Sequence, residues 1–258
     1  MAGHLFDGVG PVAIAHRGGR LEVPENTAAA VAHAAALGVV LETDARLTAD
    51  GEVVLFHDDD LARTTSATGP IEDLDLARVQ ELSVEGGGAP ARLADVLAAH
   101  PDLRLNIDAK TDEVAAPLVE VVAAAGAADR VCLAAFSDAR LARMRELLPV
   151  PASLGPGDVA RLVVGSVLPV VGPMLARRVP GPDAGVVAVQ VPERYRGVVP
   201  VVTRRFVAAA HRRGLQVHVW TVNEKVDMER LLDLGVDGII TDRPTLLVEV
   251  LSARGPWH

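Results

Sequence analysis

The stretch VVLETDARLT, residues 39–48, begins as a β-branched apolar run and then carries two acids, Glu42 and Asp44. A run of this composition is typical of a strand covered on both faces, as in a parallel sheet packed between helices. Because strand side chains alternate between the two faces, Glu42 and Asp44 point to the same side. Two neighbouring carboxylates close to a core are costly unless a cation lies between them, so the stretch indicates a site as well as a strand.

Outward from this stretch, strand-like runs alternate with helical patterns, and many of the helices are closed by glycine. The runs are PVAIAHRG, VVLETDARL, LRLNIDAK, RVCLAAFS, VPASLG, GVVAVQVP, LQVHVWTVN and VDGIITDRP, with an extra arm, EVVLFHD, after the turn Asp50-Gly51. Eight β-then-α units predict an α/β fold, a (β/α)8 TIM barrel, as a single domain over residues 1–258 with a small insertion after strand 2. The alternative is a doubly wound open sheet, but no G-x-G-x-x-G loop follows the first strand.

Composition excludes several classes of protein. The 258 residues are 50% hydrophobic, enough for a full core, and carry a net charge of -9. That charge argues against nucleic-acid binding and gives no general attraction to an anionic membrane. Cys132 is the one cysteine and lies in an apolar run, so we expect a core residue and no intramolecular disulfide. The start MAGHLFDGVG has no signal-peptide pattern, and we expect a cytoplasmic protein.

The longest apolar segment is LVVGSVLPVVGPML, residues 162–175. It is shorter than the roughly 20 residues that span a bilayer, and Pro169 and Pro173 interrupt it, so we expect no stable membrane insertion. We interpret it as a helix and loop on the outside of the fold. The alternative is a surface that contacts lipid or a partner.

The active sites of such barrels lie at the C-terminal ends of the strands. Polar residues interrupt the apolar runs at these ends: His16, Arg17, Glu42, Asp44, His57, Asp58, Asn106, Asp108, Lys110, Trp220, Thr221, Asn223, Thr241 and Asp242. The carboxylates Glu42, Asp44 and Asp108 form an all-oxygen set, which suits one hard divalent cation, Mg²⁺ or Ca²⁺, with Mn²⁺ also possible.

The basic residues and histidines at the same strand ends indicate which reaction the site could catalyse. Arg17 and Lys110 supply the fixed positive charge that binds a phosphate. His16 and His57 lie on different segments, so one can accept a proton while the other donates one. Together with a cation that polarises phosphoryl oxygens, these groups predict a phosphodiesterase.

At these residues the chain resembles the glycerophosphodiester phosphodiesterases. The matching pieces are AHRGG, PENTAAA, LETDARLTADGEVVLFHDDDLARTT, LNIDAK, VWTVN and DGIITDRP, in order over nearly the whole chain. The resemblance implies a metal-dependent barrel that cleaves small-molecule glycerophosphodiesters to glycerol 3-phosphate and an alcohol. It implies that His16 and His57 are the catalytic acid/base pair. It implies that Glu42, Asp44 and Asp108 are the metal ligands. The implied substrate contacts are Arg17, Lys110 and Trp220. The family commonly has glutamate where Asp108 stands, which leaves the metal's identity and coordination open.

Several alternatives stay open at this level. The substrate could be a lysophospholipid, cleaved as by a phospholipase D, or the barrel could bind phosphate metabolites without turning them over. Glu42 and Asp44 could pair with Arg17 and Arg46 as a structural network, and His57 could sit in a surface turn. Lys110 could extend from a strand end towards solvent, Trp220 could be plain core, and Asn26 and Thr27 could simply start a helix. The sequence predicts no oligomeric state and does not assign the two histidine roles.

Overall fold

The computed structural model describes residues 6, 8–168 and 172–258. Eleven strands lie in these ranges: β1 Val12–His16, β2 Val40–Leu47, β3 Val53–Leu55, β4 Leu105–Ala109, β5 Val131–Ala134, β6 Ala152–Ser153, β7 Val186–Pro192, β8 Arg194–Tyr195, β9 Val199–Pro200, β10 Gln216–Trp220 and β11 Gly238–Thr241. Eight of them pair in parallel in the order β1-β11-β10-β7-β6-β5-β4-β2, and β1 also pairs with β2. That last pairing closes the sheet into a barrel and confirms the predicted fold.

Helices follow the strands and cover the outside of the barrel. They are α1 Ala28–Leu37, α2 Leu76–Val79, α3 Leu93–Ala99, α4 Ala115–Ala124, α5 Asp138–Leu147, α6 Pro156–Val167, α7 Gly172–Ala176, α8 Arg204–His211, α9 Lys225–Leu234 and α10 Pro244–Arg254. The first helix shows the local signals well. The Thr27 side chain caps its N-terminus by accepting from the backbone N–H of Ala30, and Gly38 ends it in the left-handed conformation at φ 69°.

The strands bury opposite faces against two different cores. Outward-facing residues such as Ala13 and Leu41 pack against the helices. Inward-facing residues near the strand starts form a second apolar cluster, which includes Ile14, Val40 and Cys132, so the predicted core position of Cys132 is confirmed. Because the side-chain period is two, the same inward face carries polar residues where each strand ends.

The insertion after β2 begins with β3, which pairs antiparallel to β2, as the turn Asp50-Gly51 predicts. It continues through two short 3₁₀ helices and α2 before α3 begins. One feature was not predicted: β8 and β9 form a small antiparallel hairpin after β7, turning at Arg196 and Gly197 with φ of 49° and 71°. Type I′ turns need such positive φ values, and glycine adopts them without strain.

The apolar segment 162–175 lies on the outside, as predicted, apart from residues 169–171, which are outside the described ranges. Helix α6 follows β6, and both Val167 at its C-terminal end and Leu168 just beyond it are exposed. The described helices include none that is both long enough and apolar enough to cross a bilayer.

Candidate active site

Strand register brings the predicted residues together. His16, the last residue of β1, lies beside Glu42 of β2, and Asp44 lies beside Asp108 of β4. These pairs follow from parallel pairing of strands whose polar residues all fall near their C-terminal ends. The predicted acids, one imidazole and the phosphate-binding candidates therefore share one end of the barrel.

Lys110 is held between two carboxylates. Its Nζ lies 2.7 Å from Asp44 Oδ1 and 2.6 Å from Asp108 Oδ2. Burial alone would lower the pKa of Lys110, but these two acids outweigh it and raise the pKa. The side chain is 14% exposed, so Lys110 is part of the cluster rather than a stem extended into water.

The three predicted ligands differ in their electrostatics. Burial and the nearby charge of Asp44 raise the pKa of Glu42 to about 7. Burial alone would also raise the pKa of Asp44, but Lys110 and Arg17 lower it to about 2. Burial raises the pKa of Asp108, whose Oδ1 is buried without a hydrogen-bond partner. Two of the three acids are thus short of compensating positive charge.

Arg17 connects several acids from a strained backbone position. Its φ of 52° is in the left-handed region, and its backbone N–H donates to Glu42 Oε2 at 3.2 Å. Its guanidinium lies 2.9 Å from Glu25 Oε1 and 3.2 Å from Asp44 Oδ2. The alternative of a structural network therefore holds in part for Arg17. It does not hold for Arg46, which pairs instead with Glu72 and Asp59.

His16 is oriented by Asp242, the residue that follows β11. Its Nδ1 lies 2.6 Å from Asp242 Oδ1, while its Nε2 lies 3.9 Å from Glu42 Oε2. Arg20 and Asn223 also donate to Asp242, and together with His16 they lower its pKa to about 2 against the opposing effect of burial. An ionised carboxylate only accepts hydrogen bonds, so His16 Nδ1 carries the proton.

His57 has its own carboxylate in the next residue. Its Nδ1 lies 2.6 Å from Asp58 Oδ1, and Asp58 has a lowered pKa because hydrogen bonds from His57 and Arg63 outweigh burial. His57 Nδ1 is therefore the donor, which leaves Nε2 free to accept a proton. Burial lowers the pKa of His57 itself, although Asp44 opposes this. The hydrogen bond to the next residue is what the alternative of a surface turn proposes, but the ring is also half-buried beside the charges of Asp44 and Lys110.

Two aromatic rings stand beside the charged cluster. Trp220, at the end of β10, is partly buried and makes an edge-to-face contact with Phe136, with ring centroids 6.2 Å apart. Lys110 Nζ lies 5.9 Å from the centroid of the Phe136 ring, which is 71% exposed. Trp220 is thus neither fully core nor free in solvent, and the pair forms an apolar wall next to Lys110.

The donor set of Glu42, Asp44 and Asp108 fits a hard divalent cation in its chemistry. The buried, unpaired Asp108 Oδ1 and the raised pKa of Glu42 are both features that a bound cation would relieve. Among the described residues, no three acids, histidines or cysteines are already grouped as a metal cage. The ammonium of Lys110 contacts two of the three carboxylates instead.

Sequence reasoning placed Asp58 and Asp242 at strand ends but gave them no role. Asp242 lies 226 residues from His16 along the chain, so only the closed barrel shows the contact. Asn26, interpreted only as a helix-entry residue, donates to Asp44 Oδ2 at 3.3 Å and so helps to hold a predicted ligand. Phe136 carried no signal, because an aromatic residue at the end of an apolar run is usually core.

Comparison with known proteins identifies the family. A model of the glycerophosphoryl diester phosphodiesterase family matches residues 16–246, nearly the whole chain. The chain belongs to this family. A Mycobacterium tuberculosis protein named "Probable glycerophosphodiester phosphodiesterase 2" is 39% identical, with 96% of this chain and 93% of the relative covered.

Two further comparisons support the same fold and the same enzyme class for this chain. A glycerophosphodiester phosphodiesterase from Caldanaerobacter subterraneus subsp. tengcongensis is 30% identical over 94% of this chain and 98% of its own. A crystal structure of a Silicibacter pomeroyi protein, 27% identical, covers 98% of both chains with a TM-score of 0.78. The predicted family and the predicted enzyme class, a phosphodiesterase, are both confirmed.

Proposed function

We propose that this enzyme hydrolyses glycerophosphodiesters to glycerol 3-phosphate and an alcohol, with a divalent cation and two histidines. The observation that carries the proposal is the pairing of each imidazole, through Nδ1, with its own ionised carboxylate: His16 with Asp242 and His57 with Asp58. In each ring this leaves Nε2 for chemistry. A barrel that only binds phosphate metabolites needs no such pair.

His57 acts as the base and His16 as the acid. The lowered pKa of His57 keeps its imidazole neutral near pH 7, so Nε2 can take a proton from the attacking hydroxyl group. As the new O–P bond forms and the P–O bond to the alcohol breaks, His16 gives the departing oxygen a proton from Nε2. This nitrogen is protonated as well because the hydrogen bond to Asp242 and the charge of Glu42 outweigh burial and raise the pKa of His16. The attacking hydroxyl belongs either to water or to the glycerol part of the substrate, and both routes use the two histidines in the same way.

Glu42, Asp44 and Asp108 would hold the cation, either Mg²⁺ or Ca²⁺, with Mn²⁺ as a further possibility. When bound, it polarises the phosphoryl oxygens and offsets the charge that develops on them. Arg17 and Lys110 supply fixed positive charge for the same phosphate. Trp220 and Phe136 line the side of the cluster where the uncharged part of a small diester can pack.

A substrate panel tests the proposal. Glycerophosphocholine, glycerophosphoethanolamine, glycerophosphoglycerol, glycerophosphoinositol and a lysophospholipid are compared with and without EDTA and added Mg²⁺, Ca²⁺ or Mn²⁺. Release of glycerol 3-phosphate from the water-soluble diesters, lost with EDTA and restored by metal, supports the proposal. Full turnover in metal-free enzyme, or turnover of the lysophospholipid alone, contradicts it.

A further inference from the structure

Arg63 lies at the centre of a chain of ion pairs that joins the two sides of the site. It belongs to the short 3₁₀ helix Leu61–Arg63 in the insertion after β2. Its Nε donates to Asp58 Oδ2, on the carboxylate whose other oxygen contacts His57. Its two terminal nitrogens donate to the two oxygens of Glu25, at distances of 3.0 and 2.5 Å.

Glu25 carries the chain onward to Arg17. The Glu25 side chain is 4% exposed, and its Oε1 also accepts from Arg17 Nη1 at 2.9 Å. Burial alone would raise the pKa of Glu25, but Arg63 and Arg17 outweigh it and lower the pKa. Removing Arg63 would therefore leave a buried carboxylate with half of its compensating charge.

From this geometry we infer that Arg63 is a positioning residue for the phosphodiesterase reaction, setting His57 through Asp58 and Arg17 through Glu25. The inference rests on the proposed roles of His57 and Arg17. In the part of the chain that the structure describes, the hydrogen bonds and ion pairs of Arg63 go to Asp58 and Glu25 and not to Glu42, Asp44 or Asp108, so its effect passes through these two acids. The planar guanidinium serves this purpose because it holds both oxygens of one carboxylate while its Nε binds a second.

The planar, forked shape of the Arg63 guanidinium predicts how variants at this position behave. Arg63→Ala frees the Asp58 carboxylate to rotate, so the His57 ring loses its fixed orientation and kcat falls by about 10- to 100-fold. Arg63→Lys keeps the charge but cannot bind Glu25 through two nitrogens and Asp58 through a third, so its kcat lies between wild type and Arg63→Ala. Loss of the Glu25 contact also loosens Arg17, which raises KM.

Arg92→Ala is the matched control. Arg92 also bridges two acids, Glu52 at 2.8 Å and Asp95 at 3.3 Å, and its side chain is 31% exposed against 40% for Arg63. Neither acid belongs to the site. If Arg63 acted only through stability, both alanine variants would lower the melting temperature and neither would change kcat or KM. Equal kinetics for the two variants would overturn the inference.

A double-mutant cycle separates positioning from a direct role. In a His57→Ala background the Arg63→Ala change should no longer lower kcat, because the ring that it positions is absent. A full further loss in that background would overturn the inference.

NMR of the His57 ring nitrogens supplies a readout that does not need activity. The wild type should show one tautomer, with the proton on Nδ1, and Arg63→Ala should show a mixture. An unchanged single tautomer would overturn the inference even in an active enzyme. An enzyme inactive on every diester would defeat the proposed function, while the tautomer result would still decide the role of Arg63.

Discussion

At the scale of single residues, the surroundings of His57 determine when it can accept a proton. Burial disfavours the charged imidazolium and lowers the pKa below the ordinary value of 6.5, although Asp44 works in the other direction. A lowered pKa means that the neutral, basic form dominates at and above pH 6.5. We therefore expect an NMR titration of the His57 ring in metal-free enzyme to give a pKa below 6.5. A midpoint above 6.5 would contradict the assignment of His57 as the base.

Replacing the two histidines distinguishes their roles. His57→Ala and His16→Ala should each lower kcat on a natural diester by about 10²- to 10⁴-fold, since general acid/base catalysis is worth that factor. A nitrophenyl ester, whose leaving group needs no proton, should restore much of the rate of His16→Ala and little of that of His57→Ala. Melting temperatures of both variants serve as the control for folding. Rescue of the opposite variant would reverse the two roles.

Variants at Asp108 test whether the proposed carboxylates bind the metal. Asp108→Glu should retain substantial metal-dependent activity, because it keeps a carboxylate at a position where the family commonly has glutamate. Asp108→Ala should lose that activity and should bind metal more weakly in calorimetry. If the two variants behave alike in both measurements, Asp108 is not a ligand.

The residue types at the strand ends were predictable because polar groups interrupt otherwise apolar runs. Their partners were not, since hydrogen bonds such as His16 to Asp242 depend on which strands become neighbours. The position of Lys110 between two acids could not be predicted either, because the side-chain period of two in a strand shows only that Asp108 and Lys110 share a face.

At the scale of elements, the junction between β1 and α1 depends on a close approach. Gly18 has φ of 85°, and a Cβ there would lie 2.5 Å from the Cβ of Ala30 in α1. Gly38, at the other end of α1, has φ of 69° and nothing within 4 Å of the same added atom. Both positions penalise alanine by about 1–2 kcal/mol for the left-handed backbone, but only Gly18 adds a clash.

We therefore expect Gly18→Ala to lower the free energy of unfolding by clearly more than Gly38→Ala does. Urea unfolding of the two variants against wild type measures the difference. Equal losses would mean that β1 and α1 can shift apart without cost.

The larger elements could be predicted because each barrel strand is a short apolar run, and the glycine or proline beside many of them marks a boundary. The hairpin of β8 and β9 could not, because its residues 194–200 are exposed throughout and carry no burial pattern. Turn chemistry at Arg196 and Gly197 was its one local signal.

At the scale of the whole molecule, polar side chains cross the barrel interior beneath the site. Asn106 of β4 and Gln190 of β7 exchange two hydrogen bonds, of 3.2 and 3.1 Å, and Gln190 also contacts His218, which is fully buried. His218 lies on the same inward face of β10 as Trp220, two residues before it. These strands are not neighbours, so the contact forms only when the barrel is closed.

The hydrogen-bonded pair of Asn106 and Gln190 predicts how the effects of the two residues on the free energy of unfolding depend on each other. Asn106→Leu alone leaves the partly buried Gln190 amide with only its contact to His218 and should cost about 1–3 kcal/mol of unfolding free energy. The double variant Asn106→Leu with Gln190→Leu removes both polar groups and should cost less than the sum of the two single changes. Urea unfolding of the three variants gives the coupling energy, and strict additivity would show that the interior tolerates an unpaired amide.

The pairing of β1 with both β2 and β11 also has a consequence for biosynthesis. The ribosome makes β1 long before β11, so one edge of β1 stays unpaired while the intervening chain is translated. At about 5–20 residues per second, the 226 residues that separate His16 from Asp242 take roughly 11–45 s to appear. A nascent chain released before that point carries both histidines, yet His16 lacks the acid that orients it. Catalytic competence is therefore expected to arise late, when the last strand joins the first.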